Sequence, residues 1–185
     1  MKHPSNRQFY AYWDDKRGEA LAPDRSEVEP GALRELLADI FVLSYEAAGR
    51  HAVRVAGTRI CAVLGRDLKG EEFTSLFAPA SRREIEDILT IVAEEHLPTV
   101  AGITATANGA PAHLELLLLP FRAKAHTPRS LTGLLAPLGG ARSGVLGELH
   151  LTSWRTMNHP PRRFVARALR KLSVARGLMV YEGLR

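Results

Sequence analysis

The pair Asn108–Gly109 stands between two alternating runs, Val100–Ala107 and Ala110–Leu119, and constrains the chain more than any other feature. Asn-Gly accepts the two positive φ angles of a type I′ turn, whose twist matches that of two paired strands, so the spacing predicts an antiparallel hairpin. The period of two then places Leu114, Leu116 and Leu118 on one face and Glu115, Leu117 and Leu119 on the other. A third strand is expected at Leu131–Leu138, after the polar loop Arg122–Ser130.

Upstream, Ile40–Tyr45 and His51–Ala56 alternate like strands and flank a turn containing Gly49. Short helical segments lie between these pairs and the hairpin. Thr58 reads as the N-cap of a short helix that stops at Gly65. Glu71–Phe77 suits one or two helical turns. Ser81 followed by Glu84 forms a capping box ahead of a longer helix, whose Ile85, Ile88, Leu89 and Val92 make one apolar stripe. Near the N-terminus, Phe9, Tyr10 and Trp13 recur at about one helical turn, and Pro30 heads another short helix. The order of elements predicts an α+β chain: a five-stranded antiparallel sheet with short helices on one face and helical extensions at both ends. Gly144–Thr152 reads as a sixth short strand or a linker.

Charge is uneven. The chain of 185 residues carries 25 Lys and Arg against 20 Asp and Glu, yet residues 154–185 hold eight basic residues against the single acid Glu182. The high pI therefore belongs to the C-terminal segment. Pro160 and Pro161 precede RRFVARALRKLSVAR, whose Phe164, Ala168, Leu172 and Ala175 fit one apolar helical face with arginines around it. Such a helix suits packing on the body or on a second subunit. It also suits nucleic-acid phosphates or an anionic membrane surface. A single cysteine, Cys61, leaves no internal disulfide and fits a reducing cytoplasm. The polar N-terminus lacks the apolar core of a secretory signal, and the longest apolar run, around Leu116–Pro120, is far short of a membrane span.

The run RVAGTRICAVLGRDLKGEEFTSLF, Arg54–Phe77, resembles the signature of stand-alone bacterial PAS-domain proteins. In those a strand ending R-x-A-G-T leads into a short helix, then G-R-D-L-x-G and an F-x-x-L-F turn. Leu114–Pro120 (LELLLLP) and Gly133–Leu138 (GLLAPL) match later parts of the same pattern, and the resemblance covers roughly residues 10–140. It implies a sensory fold built around an internal pocket, and carries over no catalytic residues. The chain is accordingly divided into an N-terminal helix and leader (1–30), a PAS-like domain (31–140) and a basic extension (141–185).

Candidate sites follow. Phe41, Leu43, Ile88, Ile91, Val92, Leu116 and Leu118 are expected to line the interior, with Arg54, Cys61 and Arg66 as the residues to watch around it. Arg54 alternates with Val53 and Val55 and points a guanidinium away from them, toward solvent or an acidic ligand. Trp13, Phe164, Arg167 and Leu169 are the candidate partner or dimer surface. No two of the seven histidines have the spacing of a metal-binding pair on one helix face, and the phosphate-loop, nucleophile-elbow and dinucleotide motifs are missing. His96, at the end of the long helix, is the one residue suggesting haem, and no cofactor is assigned. The expectation is a non-enzymatic cytoplasmic sensory module that binds a small ligand or a partner protein, or a second copy of itself, and relays the change through flanking helices. The second reading is an adaptor acting on nucleic acid or a membrane through its basic C-terminal helix.

Overall fold

The computed structural model describes residues 1–45, 50–122, 129–139 and 144–157, and the backbone of 169–175 and 178–183. Its elements in chain order are α1 (Pro4–Arg17), β1 (Ile40–Tyr45), β2 (Val53–Ala56), α2 (Thr58–Leu64), α3 (Pro79–Glu94), β3 (Thr99–Ala107), β4 (Ala110–Pro120), β5 (Arg129–Pro137) and β6 (His150–Thr156). Two further strands, β7 (Leu169–Ala175) and β8 (Leu178–Gly183), form a separate pair. Single 3-10 turns occupy Arg25–Glu27, Pro30–Leu33 and Phe73–Leu76.

The Asn-Gly hairpin forms as its sequence dictates. Asn108 and Gly109 take φ angles of 49° and 75°, and β3 and β4 pair from Ala107–Ala110 out to Thr99–Leu118. β5 adds to β4, β1 to β5, and β2 to β1, each antiparallel. On the opposite side β6 joins β3, giving the order β2-β1-β5-β4-β3-β6. The sheet thus has six strands rather than the expected five, because His150–Thr156 extends it instead of linking it to the C-terminal segment.

Helices cover both faces, where one covered face was expected. On the inner face Phe41, Leu43, Leu114, Leu116 and Leu118 pack with the stripe Ile85, Ile88, Leu89 and Val92 of α3. On the outer face Ile40, Leu117, Leu119 and Leu134 lie under Phe9 and Trp13 of α1. Both sides of β4 are dry from Leu114 onward, which explains why LELLLLP is an almost unbroken apolar run. Trp13 is 1% exposed and donates its indole N–H to the Pro120 carbonyl at 2.7 Å.

Two local expectations change. α2 starts at Thr58, so the N-cap is Gly57, and the carbonyl of Ala38 receives the N–H groups of Arg59 and Ile60. A Cβ on Gly57 would collide with the carbonyl oxygens of Leu37 and Ala38, and glycine alone allows that approach. α3 starts at Pro79, so Ser81 and Glu84 are not a capping box. Ser81 Oγ accepts the N–H of Leu151 at 3.1 Å, and Glu84 Oε1 accepts the indole N–H of Trp154 at 2.7 Å. Both residues hold β6.

The expected C-terminal helix is not present at Leu169–Ala175, which pairs with β8 as a strand. Leu172 and Val174 fit a period of two as well as a helical one, and Leu178–Gly183 offers them a partner strand that a single-segment reading overlooks. The adaptor reading loses the helix it required over these residues. The rest of that segment, including Phe164 and Arg167, lies outside the described residues.

Candidate ligand site

The interior residues named from sequence come together only in part. Phe41, Leu43, Ile88, Val92, Leu116 and Leu118 are at most 1% exposed and belong to one buried cluster. Half-buried Cys61 on α2 packs against its edge. Phe73 and Phe77 of the F-x-x-L-F turn complete the cluster, with Phe73 stacked on Phe41 at 5.0 Å between ring centres. Arg54 and Arg66 are exposed, and Arg66 is paired with Glu71 at 3.1 Å. His51 escaped the sequence reading. It is buried beside Tyr45, and its backbone N–H reaches both oxygens of Glu72 at 3.0 Å. His96 sits past the end of α3 at φ 56°, with a ring nitrogen 3.2 Å from the Glu94 carbonyl, away from the buried cluster. Among the described residues no group of three or more His, Cys, Asp or Glu could hold a metal ion.

A hollow of about 760 Å³ lies on the opposite face, between the leader and the sheet. Its construction begins in the leader. Asp24 accepts the N–H of Ser26 while Glu27 accepts the N–H of Asp24, a reciprocal cap that fixes the turn carrying Arg25. Arg122 donates its backbone N–H to Pro23, tying this strap to the end of β4. Leu33 and Leu36, each 3% exposed, anchor the following segment in the outer core. What remains between strap and sheet is floored by Ile40, Val42 and Thr132, closed by Phe9 and Phe121, and roofed by Leu33 and Leu37. None of the ten residues named for the interior and its surroundings lines it.

Two arginines, Arg25 and Arg34, stand in this lining, and no acidic residue does among the described residues. Arg25 donates to Ser130 Oγ at 2.8 Å. Partial burial, and then repulsion from Arg54, hold Arg25 below its ordinary range, though it stays a cation. The lining therefore offers apolar contact, the hydroxyls of Thr58 and Thr132, and positive charge. The leader was read from sequence only as a loop, and nothing in its periodicity marks Arg25 or Arg34.

Elsewhere, the N-terminus of α1 is held by a buried acid. Glu115 accepts the backbone N–H groups of Lys2 at 2.6 Å and His3 at 2.9 Å, and the side-chain amide of Asn6 at 3.0 Å. Burial pushes its carboxyl up, but these donors outweigh burial and hold it below the usual range.

Comparison with known proteins places this architecture. The family described as "PAS domain" matches residues 1–136. The match thus takes in α1 and the leader and ends within β5. No curated protein matches the chain. Among solved structures, the PAS domain of BvgS from Bordetella pertussis is similar at 18% identity and a TM-score of 0.43, over 58% of this chain and 84% of that one. A PAS domain from Colwellia psychrerythraea is similar at 12% identity and a TM-score of 0.41, over 60% and 98%. The PAS domain of an HTR-like protein from Haloarcula marismortui is similar at 17% identity and a TM-score of 0.40, over 58% and 90%.

Proposed function

The chain belongs to the PAS domain family, a family of sensory and signalling modules, and from that premise we propose that it is a non-enzymatic relay whose output runs through β6. A small molecule or a partner protein selects one packing of the domain, and the selected packing is passed on by population shift, which requires the effector to bind one state better than the other.

The observation that carries this reading is the attachment of β6. The strand pairs with β3 along Thr99–Thr104, Leu151 and Trp154 pack against the inner core, and Ser81 and Glu84 tie the strand to α3. A small displacement of α3 over the inner core therefore changes the acceptors available to Leu151 and Trp154. β6 leads into the residues beyond 157, so its state is communicated to the C-terminal segment. The relay element on this side is a strand, where the sequence suggested a helix. On the N-terminal side it is α1, laid on the outer face.

β6 is also an edge of the sheet, with one row of backbone groups unpaired by the other strands. A partner strand, from another signalling protein or a second copy, can add there. A cytoplasmic setting fits the lone Cys61, and no helix among the described residues is long and apolar enough to cross a membrane. Native mass spectrometry of freshly purified full-length protein tests the reading. A retained small molecule, a dimer or both are expected. A bare monomer at every concentration tried tells against it.

A further inference from the structure

The outer-face hollow joins three properties. It is large enough for a small organic molecule, since such sites span about 300–1,000 Å³, and its own volume is about 760 Å³. Its walls are apolar side chains from both the leader and the sheet. Among the described residues its charged lining is of one sign: Arg25 and Arg34 are present, with Arg54 close enough to Arg25 to repel it.

The neighbouring acids do not answer that charge. Asp24 and Glu27 are turned to the backbone of their own turn, Glu29 is paired with Lys16 at 2.9 Å, and Glu35 does not line the hollow. The surface around the opening is also apolar in an unusual degree. Among the described residues four large hydrophobic side chains are exposed, and two of them, Leu37 at 43% and Val55 at 56%, line this hollow. Exposed apolar area beside guanidinium groups that have no acidic partner among the described residues fits a ligand with an oily body and an acidic end.

We propose that this hollow binds a small amphipathic organic anion, an aliphatic or aromatic body carrying one acidic head, with the body against Ile40, Val42 and Leu33 and the head at Arg25 and Arg34. A nucleotide fits less well, because its sugar and base need many polar partners and the walls offer two threonine hydroxyls. A neutral lipid would leave both cations without a counter-charge. The proposal adds an input to the signalling reading above, on the face of the sheet away from the interior expected to hold a ligand.

The test is titration calorimetry of the full-length protein with decanoate and decyl phosphate below their micelle concentrations, against decanol and inorganic phosphate as controls. One equivalent of decanoate or decyl phosphate should bind, with decanol and inorganic phosphate weaker by about tenfold or more, the scale of one charge-assisted hydrogen bond. The double variant Arg25→Ala/Arg34→Ala should lose about the same factor. Val55→Asp places a carboxylate at an exposed position of the mouth, so the fold is spared while the anions are repelled. Equal binding of decanol and decanoate overturns the proposal. So does an affinity untouched by all three substitutions, or no binding of either anion at millimolar concentration. A chain that binds neither anion yet retains another molecule in native mass spectrometry loses this site and keeps the relay.

Discussion

Asn6 of α1, fully buried, donates its side-chain amide to two acceptors of Glu115 on β4, the backbone carbonyl at 3.1 Å and the carboxylate at 3.0 Å. With the N–H groups of Lys2 and His3 on the same carboxylate, the first turn of α1 is fastened to the sheet by one ionised group. Negative charge there also opposes the positive end of the helix.

Acid should therefore loosen the N-terminus. The carboxyl of Glu115 lies below its ordinary value in the folded chain, because the three donors outweigh burial. The unfolded chain then takes up the proton first. Its stabilising contribution is complete above the unfolded value of about 4.3 and is lost as pH falls through the lower folded value. Glu115→Gln should cost about 1–3 kcal/mol at pH 7. In urea unfolding the gap between native protein and variant should hold from pH 7 down to about pH 5 and narrow only below about 4.3. A gap independent of pH would remove the assigned role.

Trp13 fills the outer core and satisfies the Pro120 carbonyl, so its aromatic stripe packs on the domain body, and a side chain 1% exposed leaves little for the partner surface for which Trp13 was also a candidate. Trp13→Ala should destabilise by about 3–5 kcal/mol, and Trp13→Phe by about 1–3 kcal/mol through the orphaned carbonyl. Thermal unfolding measures both. Native mass spectrometry should show the same subunit count for Trp13→Phe as for the parent. A changed count at unchanged stability would return Trp13 to an interface.

Gly57 and Gly31 make a controlled pair. A methyl on Gly57 meets backbone carbonyl oxygens of Leu37 and Ala38, which cannot swing aside, whereas nothing lies within 4 Å of one placed on Gly31. Gly57→Ala should destabilise by about 1–3 kcal/mol and disturb the turn between β2 and α2. Gly31→Ala should be neutral or stabilise by up to about 1 kcal/mol by restricting the unfolded chain. Similar melting temperatures for the two variants would contradict the close approach at Gly57.

What the sequence made legible was local. The Asn108–Gly109 turn, the strand faces along Leu114–Leu119 and the α3 stripe each depend on spacing within one segment, and each stands in the structure. What it hid depends on contacts between distant segments. α3 starts at Pro79 and not after Ser81, whose hydroxyl instead receives the N–H of Leu151, 70 residues on. The outer-face hollow exists only because Arg25–Ala38 lies across β1 and β5, so no window of sequence contains it. Leu169–Ala175 fits two periodicities, and its pairing with Leu178–Gly183 decides between them.

The sharpest test of the relay lies at the α3–β6 contact. Ser81, 7% exposed, gives Leu151 its acceptor, and Glu84 gives Trp154 its own. Ser81→Ala leaves a partly buried N–H unsatisfied and should cost about 1–3 kcal/mol. Trp154→Phe removes a bond at the surface and should cost about 0.5–1.5 kcal/mol. If β6 is a separately adjustable element, these losses should appear as faster amide exchange in His150–Thr156, with β1, β4 and β5 protected as before. The double variant should release β6 more than either alone. Uniform acceleration across the sheet would mean that β6 opens only with the whole fold, and a strand of that kind cannot carry a signal of its own.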